Sequence, residues 1–490
     1  MDKLPYDKTN AKSIENYGKK LVGKTFRELI SDDNLESEIE SEYGNRNRKG
    51  GLGNFLEEVY FHYKCNNDQR PDFPEAGVEL KVSNYEIGKN NKFRAGERVV
   101  LTMIDYRKPI ERKLEDSHLW NKCKLILLVY YLRNRNITNN ILYKIDYVFL
   151  FTPPEEDLCI IRKDYEIIAN KIIAGKAHEL SESDTFYLGA CTKGATAATS
   201  IVKQFYPPHL PAKKRAFCYK VSYMTIVLNK YLKQGEFDYE PIIKNKKELE
   251  YKTFNQAIRD RLKSYIGLSD EEICRKFNLP YTQNKSQWTT LTYRMLGIKS
   301  NRAEEFEKAG IVTKVIRIEE NGLMRESMSF PTFKYKELAS EIWEDSTLRN
   351  YFSETKFFFV VFKKKKDNYY LQGCQFWNMP YDDLENTVRE GWQNIVDKLN
   401  NGIKLTVKLQ NNGKVIVEND LPKASDNPII HVRPHASKRY FKLKDGTVIG
   451  NGTERDANEL PDGTIMPNYC FWLNNTYVIK QLNTELLNNS

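Results

Sequence analysis

The phrase DFPEAGVELKV at residues 72–82 returns in altered form as EFEKAGIVTKV at residues 305–315, keeping Phe, Ala, Gly, Lys and Val at five of eleven positions. Four further pairs follow in the same order. LEDSHL (114–119) answers to WEDSTL (343–348), and LILLVYY (125–131) to FFFVVF (357–362). EEDLCIIRKDYEIIANKIIAGKAHEL (155–180) answers to YDDLENTVREGWQNIVDKLNNGIKL (381–405), and FCYKVSY (217–223) to FWLNNTY (471–477). Ordered matches at similar spacing identify a tandem duplication, so the chain must build one fold twice. With 490 residues it is also too long for a single core. The text turns polar and irregular at LKQGEFDYEPIIKNKKELEYK (232–252). The expected organisation is a first domain over 1–235, a linker over 236–252 and a second domain over 253–490.

Within the first copy, ERVVLTMIDY (97–106), CKLILLVYYL (123–132) and YKIDYVFLF (143–151) are rich in β-branched and aromatic residues and read as strands. SIENYGKKLVGKTFRELI (13–30) has helical apolar spacing, with Leu21, Phe26, Leu29 and Ile30 on its buried side. GGLGNFLEEVYFHYK (50–64) reads as a glycine-rich loop entering a helix, and residues 157–180 as a long amphipathic helix ended near Gly175. The pattern is α+β, a mixed sheet flanked by helices.

Composition narrows the function. With 40% hydrophobic and 29% charged residues the chain is neither disordered nor fibrous. No apolar run is long enough to span a bilayer, and the polar start MDKLPYDKTNAKSIENYGKK is no secretory signal. Eight cysteines without a CxxC pair argue for reduced thiols in a cytoplasm rather than a disulfide framework or zinc site. A net charge of +10 favours a polyanionic partner, nucleic acid before membrane surface.

The strand VELKV carries the chemistry. Alternation sends Val78, Leu80 and Val82 to the core and puts Glu79 and Lys81 together on the other face. Asp72, on the turn before, can fold back beside Glu79. Two close carboxylates suit Mg²⁺, and a neighbouring lysine can orient or deprotonate water and neutralise charge on a phosphorane. That is equipment for phosphodiester hydrolysis. The plain alternative is an exposed Glu–Lys pair on an amphipathic strand, which E-x-K alone does not exclude. In the second copy Asp72 becomes Glu305 and Glu79 becomes Val312, and only the lysine survives, as Lys314. The apolar frame is kept while the acid pair is broken, so the acid pair is read as chemistry: one copy cuts and the other does not.

The blocks GNFLEE, PDFPEAGVELK, EDSHLWNKCK, YLGACTKGA and AFCYKVSYMT resemble the MutH group of restriction-endonuclease-like (PD-(D/E)xK) nucleases. Within it the chain is similar, over nearly its whole length, to the two-copy type II restriction endonucleases that cut GATC. The resemblance implies a pair of such domains, with Asp72, Glu79 and the carbonyl of Leu80 as metal ligands and Lys81 as the catalytic lysine. It makes Glu57 the helix-borne acid, with Glu58 a solvated neighbour, and Lys122 a second active-site lysine whose counterpart in the second copy is Tyr351. Lys193, in CTKGA (191–195), stands where the family has a groove-reading Arg-Pro-Lys loop, and Glu97 matches an acid that accepts from the bases. Cys218 replaces a tyrosine that senses adenine methylation, so tolerance of N6-methyladenine is expected. In the second copy Arg433, Pro434 and His435 stand closer to the groove-reading triplet, within the basic stretch HVRPHASKR (431–439).

The function implied is a Mg²⁺-dependent type II endonuclease cutting duplex DNA at 5′-GATC-3′, before the G. It would act as a monomer or DNA-induced dimer, away from membranes, beside a methyltransferase that protects the host DNA. The second copy is expected to be a catalytically dead, DNA-binding regulator that engages another GATC site. Two rivals are a mismatch-repair nicking enzyme, disfavoured by the duplication, and a catalytically silent DNA-binding protein, disfavoured by the intact acids and lysine.

Overall fold

The computed structural model describes residues 4–30, 41–45, 50–63, 69–88, 92–134, 136–193, 200–232, 239–282, 284–411, 413, 415–435 and 437–488. The chain forms two compact units, one of Met1–Ala257 with Arg302–Ile311, the other of Ile258–Asn301 with Val312–Ser490.

Among the described residues of the first unit, the strands along the chain are β1 (Glu79–Ile87), β2 (Phe93–Ala95), β3 (Val99–Met103), β4 (Ile126–Leu132), β5 (Ile145–Phe151), β6 (Leu188–Thr192), β7 (Ile201–Lys203), β8 (Pro211–Lys213) and β9 (Arg215–Tyr219). The main sheet has the order β2-β1-β4-β5, with β1 parallel to β4 and the other neighbours antiparallel. Val78, Leu80, Leu127 and Val129 pack with Ile14, Phe55, Leu56 and Phe61 in one core. Ile126–Tyr130 are buried without alternation, as expected of a central strand covered on both faces. A second sheet, β3-β9-β6, is antiparallel throughout.

The second unit repeats this wiring. Its strands are β10 (Ile311–Ile318), β11 (Met328–Thr332), β12 (Lys356–Lys365), β13 (Asn368–Trp377), β14 (Leu405–Leu409), β15 (Val415–Asn419), β16 (Ile430–Pro434), β17 (Tyr440–Lys442), β18 (Val448–Gly450), β19 (Ala457–Glu459), β20 (Ile465–Pro467) and β21 (Tyr469–Leu473). The order β10-β12-β13 reproduces β1-β4-β5, and β11-β21-β16 reproduces β3-β9-β6. Register follows too: Leu188 faces Tyr219 as Ile430 faces Leu473, which places Lys193 and His435 at equivalent positions one step past their strands. Two additions mark the second copy, a hairpin β14–β15 and a sheet β18-β17-β20-β19 inserted between β16 and β21. Among the described residues no helix is long and apolar enough to cross a membrane, and the seven described cysteines are free.

The helix expected over 13–30 is shorter, Ala11–Gly18 with a 3₁₀ turn Lys19–Leu21. Past it, Gly23 (φ 90°) and Phe26 tie their amides to the carbonyls of Ile145 and Tyr143, which stops the helix while Leu21, Phe26 and Leu29 remain buried. The helix Glu155–Ile173 does end at Gly175 (φ 69°), where a Cβ would lie 1.8 Å from the carbonyl oxygen of Pro207.

The repeated phrase does not repeat its structure. Residues 74–77 form a turn closed by paired backbone hydrogen bonds between Phe73 and Val78, whereas Glu304–Ala309 is a helix capped by Gly310 (φ 65°). Glu305, the counterpart of Asp72, accepts the amides of Ile242 and Ile243, both at 2.9 Å. These isoleucines are buried, so the polar stretch read as a linker over 236–252 contains residues packed into the first unit. Lys308 lies 2.6 Å from Asp157 and 2.9 Å from Glu304, both ammonium and Asp157 being almost fully buried. Tyr223 donates to the other oxygen of Asp157 at 3.1 Å. Removing one partner leaves a buried charge unpaired. Lys308→Met is therefore expected to destabilise the first unit by about 3–5 kcal/mol, read as a lowered transition in thermal denaturation.

Candidate active site

Four chain segments meet where the central strands β1 and β4 of the main sheet begin. Gly50 (φ 82°) opens the helix Gly51–Phe55, which loosens into a π-helical turn over Leu56–Tyr60 carrying Glu57 in its first turn. Glu58 is exposed and bonded by Tyr43, so Glu57 is the acid whose charge reaches the other side chains. The turn after Pro71 brings Asp72 back, where its Oδ2 accepts the amide of Leu80 at 2.8 Å. Strand β1 supplies Glu79 and Lys81 on one face, and the helix His118–Cys123 supplies Lys122 just before β4.

Glu79 is 1% exposed and holds two ammonium groups. Lys81 Nζ is 2.6 Å from its Oε1, and Lys122 Nζ is 3.2 and 3.1 Å from its two oxygens. Burial pushes Asp72 up to about 7; the charges of Glu79 and Glu57 add to this and Lys81 opposes it. Burial alone would depress the Lys81 ammonium, but Glu79, Asp72 and Glu57 outweigh it and hold its pKa above the ordinary value.

Three carboxylates against two ammonium groups leave an excess of negative charge, and Asp72 keeps one oxygen without a hydrogen bond among the described residues. That donor set fits a hard divalent cation that takes two carboxylates and completes its shell with backbone oxygen and water. No group of three or more His, Cys, Asp or Glu side chains forms a ready-made cage among the described residues.

The structure thus gathers Glu57, Asp72, Glu79, Lys81 and Lys122, while the residues assigned to DNA reading stand elsewhere. Glu97 accepts from Asn84 Nδ2 at 3.1 Å, with the charges of Arg133 and Lys193 near enough to act on it. Lys193 follows β6 and donates its amide to the Lys214 carbonyl at 2.9 Å; residues 194–195 of the CTKGA stretch lie outside the described residues. Cys218 is buried on β9 and packs in one small cluster with Cys191 on β6. In the second unit Lys314 donates to the Ser329 carbonyl at 3.1 Å and lies over the Phe330 ring, with Val312 where Glu79 would stand. Tyr351 packs its ring on Phe330 and Phe357. Arg433 is exposed on β16, its guanidinium 3.7 Å from the Trp472 ring centre, while Pro434 ends the strand and His435 contacts the Cys470 sulfur at 3.5 Å. Two neighbours escaped sequence reading: Asn84, and Tyr63, hidden in a segment read as helix.

Residues 61–164 match the family described as DNA mismatch repair enzyme MutH, a span that begins just after Glu57 and contains Asp72, Glu79, Lys81 and Lys122. The chain is also similar to the type II restriction enzyme Sau3AI of Staphylococcus aureus, with 33% identity over 498 residues, covering 96% of this chain and 98% of that enzyme. Likeness along both chains extends well beyond the cluster of acids and lysines. The chain belongs to the type II restriction endonucleases, a site-specific deoxyribonuclease whose carboxylate–lysine site lies in a MutH-like domain.

Proposed function

We propose that the enzyme cleaves both strands of duplex DNA at 5′-GATC-3′ by Mg²⁺-dependent hydrolysis, cutting before the G and leaving 5′-phosphates on four-base overhangs. The observation that carries the chemistry is Glu79, buried between Lys81 and Lys122 and beside Asp72. Asp72, Glu79 and the carbonyl of Leu80 would hold the ion, which supplies Lewis-acid stabilisation of charge on the phosphate. Lys122 fixes the Glu79 carboxylate by contacting both oxygens. Lys81, kept protonated by its acidic neighbours, acts as a donor to a non-bridging phosphate oxygen rather than as a base. Water attacks phosphorus and releases a proton to solvent, the bond to O3′ breaks, and the departing oxygen takes a proton from solvent.

The GATC reading rests on the resemblance of the sequence blocks, with Lys193 and Glu97 as base-contacting residues. Cys218 in place of the methyl-sensing tyrosine supports cleavage regardless of adenine methylation, with self-DNA protected by a methyltransferase of another specificity within the site. The second unit, with Val312 and Tyr351 at the positions of Glu79 and Lys122, is read as a non-cutting copy that binds a second site through Arg433, Pro434 and His435. An exposed guanidinium stacked on tryptophan, with no ion pair among the described residues, suits a groove contact. Cutting of both strands would proceed by dimerisation on DNA or by successive nicks.

A plasmid with mapped GATC sites, digested with Mg²⁺ and with EDTA, tests this. Discrete Mg²⁺-dependent fragments ending at GATC are expected, with two-site plasmids cut faster than one-site plasmids. Fragments ending at other sequences would refute the specificity, and equal rates on the two substrates would refute the regulatory second copy.

A further inference from the structure

Glu97 is tied back to strand β1 by a pair of residues, Asn84 and Gly96. Tyr85 pairs with Ala95 across β1 and β2, and the Gly96 amide donates to the Asn84 carbonyl at 2.9 Å, which extends that ladder by one step. The next residue, Glu97, therefore comes to the Asn84 side chain, whose Nδ2 donates to Glu97 Oε1 at 3.1 Å. The partners differ in exposure. Asn84 is buried, 8% exposed, whereas Glu97 is open to solvent.

Gly96 makes the room for this contact. A Cβ there would lie 1.8 Å from Asn84 Oδ1, so a side chain at 96 would push the amide aside. The ladder bond is made by the Asn84 backbone and would survive a change of side chain. The side chain bonds Glu97 while its own Oδ1, also buried, has no hydrogen-bond partner among the described residues. An asparagine kept only to complete the strand would be expected to have both ends satisfied.

The second copy lacks the arrangement. Met328 faces Leu473 as Val99 faces Tyr219, which puts Glu326 at the position of Glu97 and Arg325 at that of Gly96. Arg317 stands five residues past Val312, as Asn84 stands five past Glu79, and its guanidinium lies 5.5 Å from the Trp288 ring centre. The acid is kept, but asparagine and glycine are both replaced by arginine in the copy read as non-cutting.

The structure assigns Asn84 the part of a positioning residue for specificity: given room by Gly96, it pins one oxygen of Glu97 and presents the exposed carboxylate in a fixed orientation to an exocyclic amino group of adenine or cytosine in the major groove. This rests on the reading of Glu97 as a base-contacting residue.

The experiment is single-turnover cleavage of a natural GATC duplex beside two duplexes that each lack one amino group. Purine replaces adenine in one, and pyrimidin-2-one replaces cytosine in the other. Wild type should cut the natural duplex about 10- to 100-fold faster than one of the two. Glu97→Ala should remove most of that ratio, and Asn84→Ala and Gly96→Ala should each lower it at least about fivefold. Loss of stability alone would slow all three duplexes alike and leave the ratio unmoved. A wild-type ratio in Asn84→Ala, with loss in Glu97→Ala, overturns the role of Asn84. A wild-type ratio in Gly96→Ala alone overturns the part given to Gly96. A wild-type ratio in Glu97→Ala, or no discrimination or no cutting by wild type, overturns the reading beneath it.

Discussion

Lys81→Ala will cleave a GATC duplex about 10²- to 10⁴-fold more slowly than the wild-type enzyme, while binding that duplex with little change in affinity. The side chain lies at the heart of the site yet is a quarter exposed, so its loss leaves no cavity in the core. Glu79 stays paired, because Lys122 contacts both of its oxygens from a different element. What disappears is the one ammonium on the same strand face as Glu79, and with it a fixed positive charge beside the phosphate. Single-turnover cleavage gives the rate and filter binding the affinity. Lys314→Ala in the second unit is the matched control and should cut a one-site substrate normally, since Lys314 is spent on the Ser329 carbonyl. Unimpaired cutting by Lys81→Ala would remove this lysine from the reaction.

In EDTA at pH 8, Asp72→Asn will melt at a higher temperature than the wild-type protein, and near pH 4 the two will melt alike. The folded site raises Asp72 from an ordinary 3.8 to about 7, through burial first and the charge of Glu79 next. Below pH 4 the carboxyl is protonated in both folded and unfolded chains and contributes no difference. Between about 4 and 7 the unfolded chain gives up a proton that the folded chain retains, so stability falls as pH rises through that window. Above 7 the folded protein carries the full penalty of an ionised carboxylate crowded by Glu79 and Glu57. Asparagine carries none of it. Adding Mg²⁺ at pH 8 should invert the order, because the ion offsets the penalty in wild type and has one ligand fewer in the variant. Thermal melts at pH 4, 6 and 8, with and without the ion, measure all of this. Identical melting at pH 8 in EDTA would show that neither burial nor the neighbouring acids penalise ionised Asp72.

The sequence by itself determined what depends on short-range pattern. Strand alternation alone placed Glu79 and Lys81 on one face with Val78 and Leu80 in the core and Val82 packed against it, because side chains on a strand have a period of two. The ordered repeats announced two copies, and the matching sheet orders β1-β4-β5 and β10-β12-β13 carry that duplication into the fold. Lys122 was reached through family resemblance, since nothing local ties it to a carboxylate 43 positions away. Its place is set by the parallel pairing of β1 with β4, which brings the end of the preceding helix to Glu79. Tertiary structure alone decided the fates of Tyr63 and Glu305. A helical pattern continues past Tyr60 on paper, but the turn at His62 sends Tyr63 into the site. Glu305 reads as a worn copy of Asp72, yet its carboxylate caps Ile242 and Ile243 more than sixty positions upstream. Buried amides need partners wherever the chain supplies them, and that demand is met in space, at sequence separations no local pattern encodes.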